Sequence, residues 1–301
     1  MSDLSPILLF VFNRPQHTRH TLAALEKNHL AKDSTLYIYS DGPKTSEDID
    51  RVNKVRSIIR EPLAFKNIVI KERKKNYGLA ENVIDGVSKV IQKHRKVIVL
   101  EDDLETSPFA LQYFNDALNL YKDVNKVMHI SGYMYPVANK ANLTESFFFR
   151  AISSWGWATW DRAWEHFDPD IESLTKNFTK EKIKKFSIDG KENFWRQVKL
   201  YKTNKINSWA IRWYLSVFNQ DGLSLYPRES MIQNMGTDGS GAHADIDEAY
   251  KVDLATAPIE ISPLAPKENK IAYEAIKHFF AHRKGNLFER AIRYIRNKLL
   301  K

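Results

Sequence analysis

Four short apolar runs, each set apart by a stretch of helical spacing, fill the first hundred residues and leave few architectures open. Pro6 to Phe12 is a continuous, partly β-branched run ended by Asn13-Arg14-Pro15. Thr35 to Ser40 stops at Asp41-Gly42-Pro43, and Asn67 to Lys71 forms the third run. The fourth, Lys96 to Leu100, leads straight into Glu101-Asp102-Asp103. Uninterrupted apolar strands belong to a parallel sheet covered on both faces. Between them, Gln16 to Asn28 carries Leu22, Ala23 and Leu25. Ser46 is placed to cap a helix through Val52, Val55 and Ile59, which Pro62 ends. Leu79 to Lys93 spaces Leu79, Val83, Val87, Val90 and Ile91 as one helical face. Pro108 to Leu120 is helix-like as well. Strands alternating with helices predict an α/β fold with a Rossmann-like, mostly parallel sheet flanked by helices.

Composition excludes several classes. With no cysteine there is no disulfide, thiolate zinc site or cysteine nucleophile. The net charge of +9 is uneven: residues 267–301 hold ten Lys/Arg and three Glu, while the rest of the chain is nearly neutral. A nucleic-acid binder needs a basic face on its folded body, so no nucleic-acid partner is expected. Met1-Ser2-Asp3-Leu4 has no basic n-region. Ile7 to Phe12 falls far short of the ~20 apolar residues of a membrane span. The expectation is a cytoplasmic protein, with a peripheral position on the inner face of the cell membrane open to it. That position would come from Lys284 to Lys301, where Leu287, Phe288, Ala291, Ile292, Ile295 and Leu299 form one stripe and basic residues much of the rest. Such a C-terminal basic amphipathic helix suits an anionic membrane surface.

The chemistry concentrates at Glu101-Asp102-Asp103. Three carboxylates at the end of a buried strand stand where doubly wound sheets bind ligands. Like charges placed there need a cation or a polar ligand to offset them. Hard oxygen donors suit Mn²⁺ or Mg²⁺, with a nucleotide diphosphate supplying further oxygens. All seven tryptophans lie between Trp155 and Trp213, a second layer that serves either as core or as an aromatic surface for a sugar.

Leu100 to Glu105, with Ser107-Pro108 and Tyr113-Phe114, resembles the Glu-Asp-Asp segment of N-acetylglucosaminyltransferase I and of many bacterial polysaccharide glycosyltransferases. These are GT-A fold enzymes. The resemblance runs over roughly residues 6 to 245 and rests on five ordered motifs. It implies that Asn13 and Arg14 contact the nucleotide and that Asp41 reads its base. It further implies that Glu101 and Asp102 orient ribose and donor, and that Ser154 to Trp160, with Trp155, Gly156 and Trp157, lies beneath the donor sugar. Asp103 and His243 would then hold the metal. From the residues alone, Asp41 also fits an Asx turn and Gly156 a tight turn in an aromatic core. Asn82, one turn inside a helix whose N-terminus can face an anion, is placed to reach the nucleotide.

The resemblance also has a gap. Related inverting enzymes carry a catalytic carboxylate just after a tryptophan, where this chain has Trp209-Ala210-Ile211. Asp238 is the replacement candidate, with Asp161, Asp168 and Glu229 left open. The expected organisation is a nucleotide-sugar-binding half over residues 1–125, an acceptor half of the same domain over 126–265, and a basic helical tail over 266–301. The expected function is metal-dependent, inverting transfer of a sugar from a nucleotide diphosphate sugar, the UDP-linked form expected first, to a glycan or lipid-linked glycan hydroxyl. Two other readings are a sugar-nucleotide nucleotidyltransferase and a catalytically impaired glycan- or membrane-binding protein. The first calls for a Gly-rich basic loop after the first strand, which Asn13-Arg14-Pro15-Gln16 is not.

Overall fold

The computed structural model of the chain describes residues 4–236 and 248–283. Its first third alternates β1 (Ile7–Val11), α1 (Pro15–Glu26), β2 (Thr35–Ser40), α2 (Ile49–Ile58), β3 (Asn67–Glu72), α3 (Leu79–His94) and β4 (Lys96–Glu101). The expected strands and helices of this region are all present. Pro15 opens α1, where a missing N–H is harmless and a fixed φ is already helical. Arg95, in left-handed conformation, ends α3.

Beyond β4 the elements shorten: β5 (Leu104–Thr106), α4 (Ala110–Leu120), β6 (Val127–Ser131), β7 (Ser146–Phe149) and β8 (Trp157–Trp160). Short helices follow, α5 (Asp161–Trp164), α6 (Ile171–Thr175), α7 (Lys180–Phe186) and α8 (Phe194–Lys202). The described chain closes with α9 (Trp209–Asn219), β9 (Leu223–Pro227), β10 (Ile232–Asn234) and α10 (Lys270–His282).

Eight strands form one sheet in the order β3-β2-β1-β4-β8-β6-β9-β7. β1, β2, β3, β4, β6 and β9 point one way, and only β8 and β7 run against their neighbours. The sheet is therefore mostly parallel and flanked by helices, and strands from both halves of the chain share it. β5 and β10 form a separate antiparallel pair.

The tryptophan cluster is mainly core. Trp157, Trp160, Trp164, Trp209 and Trp213 are all buried, and only Trp155 and Trp195 are half-buried. α10 drives Ala272, Tyr273, Ile276, Phe279 and Phe280 into the body, so that part of the basic C-terminal region is a docked helix. The stripe from Lys284 to Lys301 lies outside the described residues. Among the described residues no helix is long and apolar enough to cross a membrane.

Candidate active site at the sheet switch point

From β1 the chain builds toward β2 and β3, whereas β4 is laid down on the other side of β1. The strand order reverses between β1 and β4, and ligands of open α/β sheets bind outside the carboxyl ends of the strands at such a point. Here the loop after β1 and the acidic run after β4 meet. Asp102 Oδ2 accepts from Phe12 N at 3.2 Å, and Asp102 Oδ1 accepts from Arg14 Nη2 at 2.5 Å. The same guanidinium nitrogen reaches Asp103 Oδ2 at 3.1 Å. Thr21 Oγ1 donates to the Asp102 carbonyl at 2.9 Å, fixing α1 to the end of β4.

The three acids differ. Asp102 is buried and latches the β1 loop; burial pushes its carboxyl up, and Arg14 pulls against that. Glu101 is half-buried and pushed up to about 8, by burial first and then by Asp103 and Asp102. Burial works against the Arg14 charge, but Asp102 and Asp103 outweigh it and hold the guanidinium firmly protonated. One guanidinium thus faces three carboxyl groups, and the cluster is short of positive charge.

β10 covers Asp103. Its register sets Asn234 opposite Leu104, and Met235 N donates to the Asp103 carbonyl at 2.8 Å. At the next residue, Gly236, a Cβ would collide with Asp103 Oδ2 and lie 3.2 Å from Arg14 Nη1, so any side chain there would displace the Asp103 carboxylate from its present place. This three-residue strand, too short to show a period, is the positioning element that the sequence pattern does not reveal. Asp238 and His243 follow Gly236 by two and seven residues and lie outside the described residues. Among the described residues no three His, Asp or Glu side chains gather as a metal site.

On the β2 side, the expectation for Asp41 is corrected. Its Oδ1 accepts from Gly42 N at 2.9 Å and Tyr77 N at 2.8 Å. Its Oδ2 accepts from Gly78 N at 2.9 Å and Asn76 Nδ2 at 3.2 Å. A carboxylate has about four lone-pair positions, so none is left for a base N–H. Asp41 instead ties the loop after β2 to the loop before α3, which leaves Tyr77 and Leu79 exposed at the rim. Asn82 is also turned inward: it is buried and accepts from Arg73 Nε at 3.0 Å. Arg73 is paired with Asp85 and lies 4.3 Å from the centre of the Tyr77 ring. Asn13 Nδ2 donates to Asp48 Oδ1 at 2.6 Å.

The aromatic loop is corrected in two places. Gly156 has φ +62, and a Cβ there would lie 2.6 Å from Ile232 Cγ1, so what approaches its backbone is β10. Trp157 is in the core, stacked on His129 at 5.3 Å and on Trp209 at 5.1 Å, and its indole is closed to a sugar. Trp155 alone of the three remains half-exposed, edge-on to Tyr133 at 4.6 Å.

His129 pins this loop to β6. Its Nδ1 accepts from Trp213 Nε1 at 3.1 Å and its Nε2 donates to the Ser153 carbonyl at 3.1 Å, so the ring is neutral. Burial lowers its pKa from 6.5 to about 3, although the bond to Ser153 opposes the shift. An unfolded chain binds this proton below about pH 6.5 while the folded one refuses it, so stability falls as pH drops from about 6.5 toward 3. The expected loss at pH 5 is about 2 kcal/mol. Urea unfolding at pH 7.5 and pH 5 should show a profile flatter by about that amount in His129→Gln than in wild type. Equal slopes for the two proteins would show that His129 does not carry this pH dependence.

Candidate bases separate by position. Asp161 pairs with Arg95 at 2.6 Å and follows Trp160, the partner of Lys96, so it sits at the opposite end of β4 from the acidic run. Asp168 lies beside Ser216 in the second half of α9. Ala210, in the first turn of α9, leaves that turn without an acid. Glu229, just past β9, is at the correct sheet edge and is paired with Lys140.

No protein-family model matches the sequence, and no curated protein matches it. Among solved structures the chain is similar to mouse xyloside xylosyltransferase 1 in its apo form. That likeness has 10% identity and a TM-score of 0.39, over 73% of this chain and 82% of the other. It is also similar to TarS of S. aureus, with 10% identity and a TM-score of 0.37. That match covers 78% of this chain and 37% of TarS. Likenesses this distant leave function to be argued from the site.

Proposed function

We propose that this chain is a GT-A-type glycosyltransferase that moves a sugar from a nucleotide diphosphate sugar, UDP-linked, to a hydroxyl of a glycan or lipid-linked glycan. The observation that carries the reading is the meeting of Arg14 and the Glu101-Asp102-Asp103 run at the β1/β4 switch point. β2 and β4 lie two strand spacings apart, about 10 Å, a span suited to a nucleoside at the Tyr77 rim with its diphosphate at Arg14.

The Asp103 carboxylate is a hard oxygen donor of the kind Mn²⁺ or Mg²⁺ takes, and the described residues bring no group of three ligands to it, so further ligands would have to come from elsewhere. Asp103, the least buried partner of Arg14, would hold the ion, with His243 as the second protein ligand and diphosphate oxygens completing the set. When bound, such an ion screens the diphosphate and stabilises it as a leaving group. Arg14, released from Asp103, would pair with a diphosphate oxygen. Asp102 keeps the β1 loop in place throughout. Asp238 would take the proton of the attacking hydroxyl, and inversion at the anomeric carbon follows from a single displacement. Peripheral attachment through Lys284 to Lys301, on the inner face of the cell membrane, would bring the site to a lipid-linked acceptor.

Thermal unfolding with a panel of nucleotide sugars, with and without Mn²⁺, tests the reading. One UDP-sugar should stabilise the protein by about 2.7 kcal/mol at 100-fold over its dissociation constant, and only with the metal. A panel in which no nucleotide sugar stabilises the protein, with metal or without, overturns it.

A further inference from the structure

A cavity of about 380 Å³ opens beyond the carboxyl ends of β6 and β9, away from the acidic run. Its floor includes Tyr135 and Val137, and three cations enter it from separate segments: Lys140, Arg228 and Lys251. Asp253 is the one acid in its lining. Lys140 is paired with Glu229, and Arg228 lies 3.7 Å from Glu145, but neither acid lines the cavity. Lys251 is exposed and has no carboxylate within 4.0 Å among the described residues.

Lys251 stands on a backbone held from both sides. Val252 N donates to Gln233 Oε1 at 2.8 Å, and Ala255 N donates to the Ser230 carbonyl at 2.8 Å. The Tyr250 carbonyl accepts from Tyr133 Oη at 2.8 Å. Gln233 belongs to β10, the strand that covers Asp103, so one element fixes both the cavity wall and the acidic run. Ser230 in the wall and Met235 beside Asp103 are five residues apart, on the order of 15 Å along an extended chain. A short oligosaccharide spans that distance. Glu229 and Glu145 offset Lys140 and Arg228 from outside the lining, so Lys251 is the cation that no described carboxylate holds.

We propose that this cavity is an acceptor subsite for an anionic group, a phosphate or a carboxylate, carried a short oligosaccharide length from the attacked hydroxyl. The inference rests on the glycosyl-transfer reading and adds to it that the acceptor is acidic. Arg228 supplies a planar fork and Lys251 a point charge, a pair suited to either oxyanion.

The test is titration of the full chain with glucose 1-phosphate, methyl glucuronide and neutral methyl glucoside, with the donor site filled by UDP and Mn²⁺ and again without them. Wild type should bind at least one charged probe about tenfold tighter than the neutral one, and Lys251→Ala and Arg228→Gln should each remove most of that preference. UDP affinity should stay unchanged in both variants. Preference for the phosphate identifies a phosphate-bearing acceptor such as a lipid-linked one; preference for the carboxylate identifies an acidic glycan. Equal binding of charged and neutral probes, or variants that bind as wild type does, overturns the subsite. A wild type that shows Lys251-dependent anion binding but no UDP binding counts against the transfer reading, and against the acceptor role drawn from it, while leaving the anion site itself.

Discussion

Asp103→Ala should leave the fold intact, abolish Mn²⁺-dependent UDP-sugar binding and slow transfer by about 10³-fold. The Asp103 carboxylate is partly exposed, and among the described residues its one side-chain bond is the 3.1 Å contact with Arg14. Its removal leaves Arg14 paired with Asp102 and creates no buried orphan. Asp102→Ala is the contrasting control. It strips a half-buried guanidinium of its closer partner and leaves Phe12 N without an acceptor, at about 1–3 kcal/mol. Calorimetry of UDP-sugar binding with and without EDTA, beside thermal unfolding of both variants, separates the two roles. Normal donor binding by Asp103→Ala, or full transferase activity of wild type in EDTA, would remove Asp103 from the metal site.

How much was legible in the sequence follows from how local each cause is. β1 to β4 read correctly because continuous apolar runs and turn residues signal themselves within a few positions. The same holds for the acidic run, whose place at a strand end needs only the strand before it. β10 was not legible: Ile232-Gln233-Asn234 has no period, and its effect on Asp103 comes from pairing with β5, more than a hundred residues earlier. The aromatic motif misled for a related reason. The resemblance places Trp157 in a loop beneath the donor, yet β8 inserts between β4 and β6 and carries its indole into the core. Gly156 fits the tight-turn alternative, with φ +62 and Ile232 packed against it. Asp238, His243 and the Lys284 to Lys301 stripe stay as the sequence left them, since they lie outside the described residues.

Asp41 is where a motif and its physics part, and the difference can be measured. Were the carboxylate a base reader, Asp41→Asn would change the preference for UDP over CDP and barely touch stability. The structure instead gives it four donors: Gly42 N, Tyr77 N, Gly78 N and Asn76 Nδ2. Removing a buried charged acceptor leaves these groups unmatched, so Asp41→Ala should cost about 3–5 kcal/mol. In a domain of this size that corresponds to a fall in melting temperature of roughly 10 °C. Asp41→Asn should lose about half as much, because its one oxygen still accepts while its new NH₂ opposes the donors on the other side. UDP affinity should weaken in both variants, because the loop before α3 loses its tie and Tyr77 its fixed place at the rim. The ratio of UDP to CDP affinity should stay constant. Calorimetric unfolding with paired UDP and CDP titrations decides the matter: a stable Asp41→Asn protein with altered base preference would restore the base-reading role.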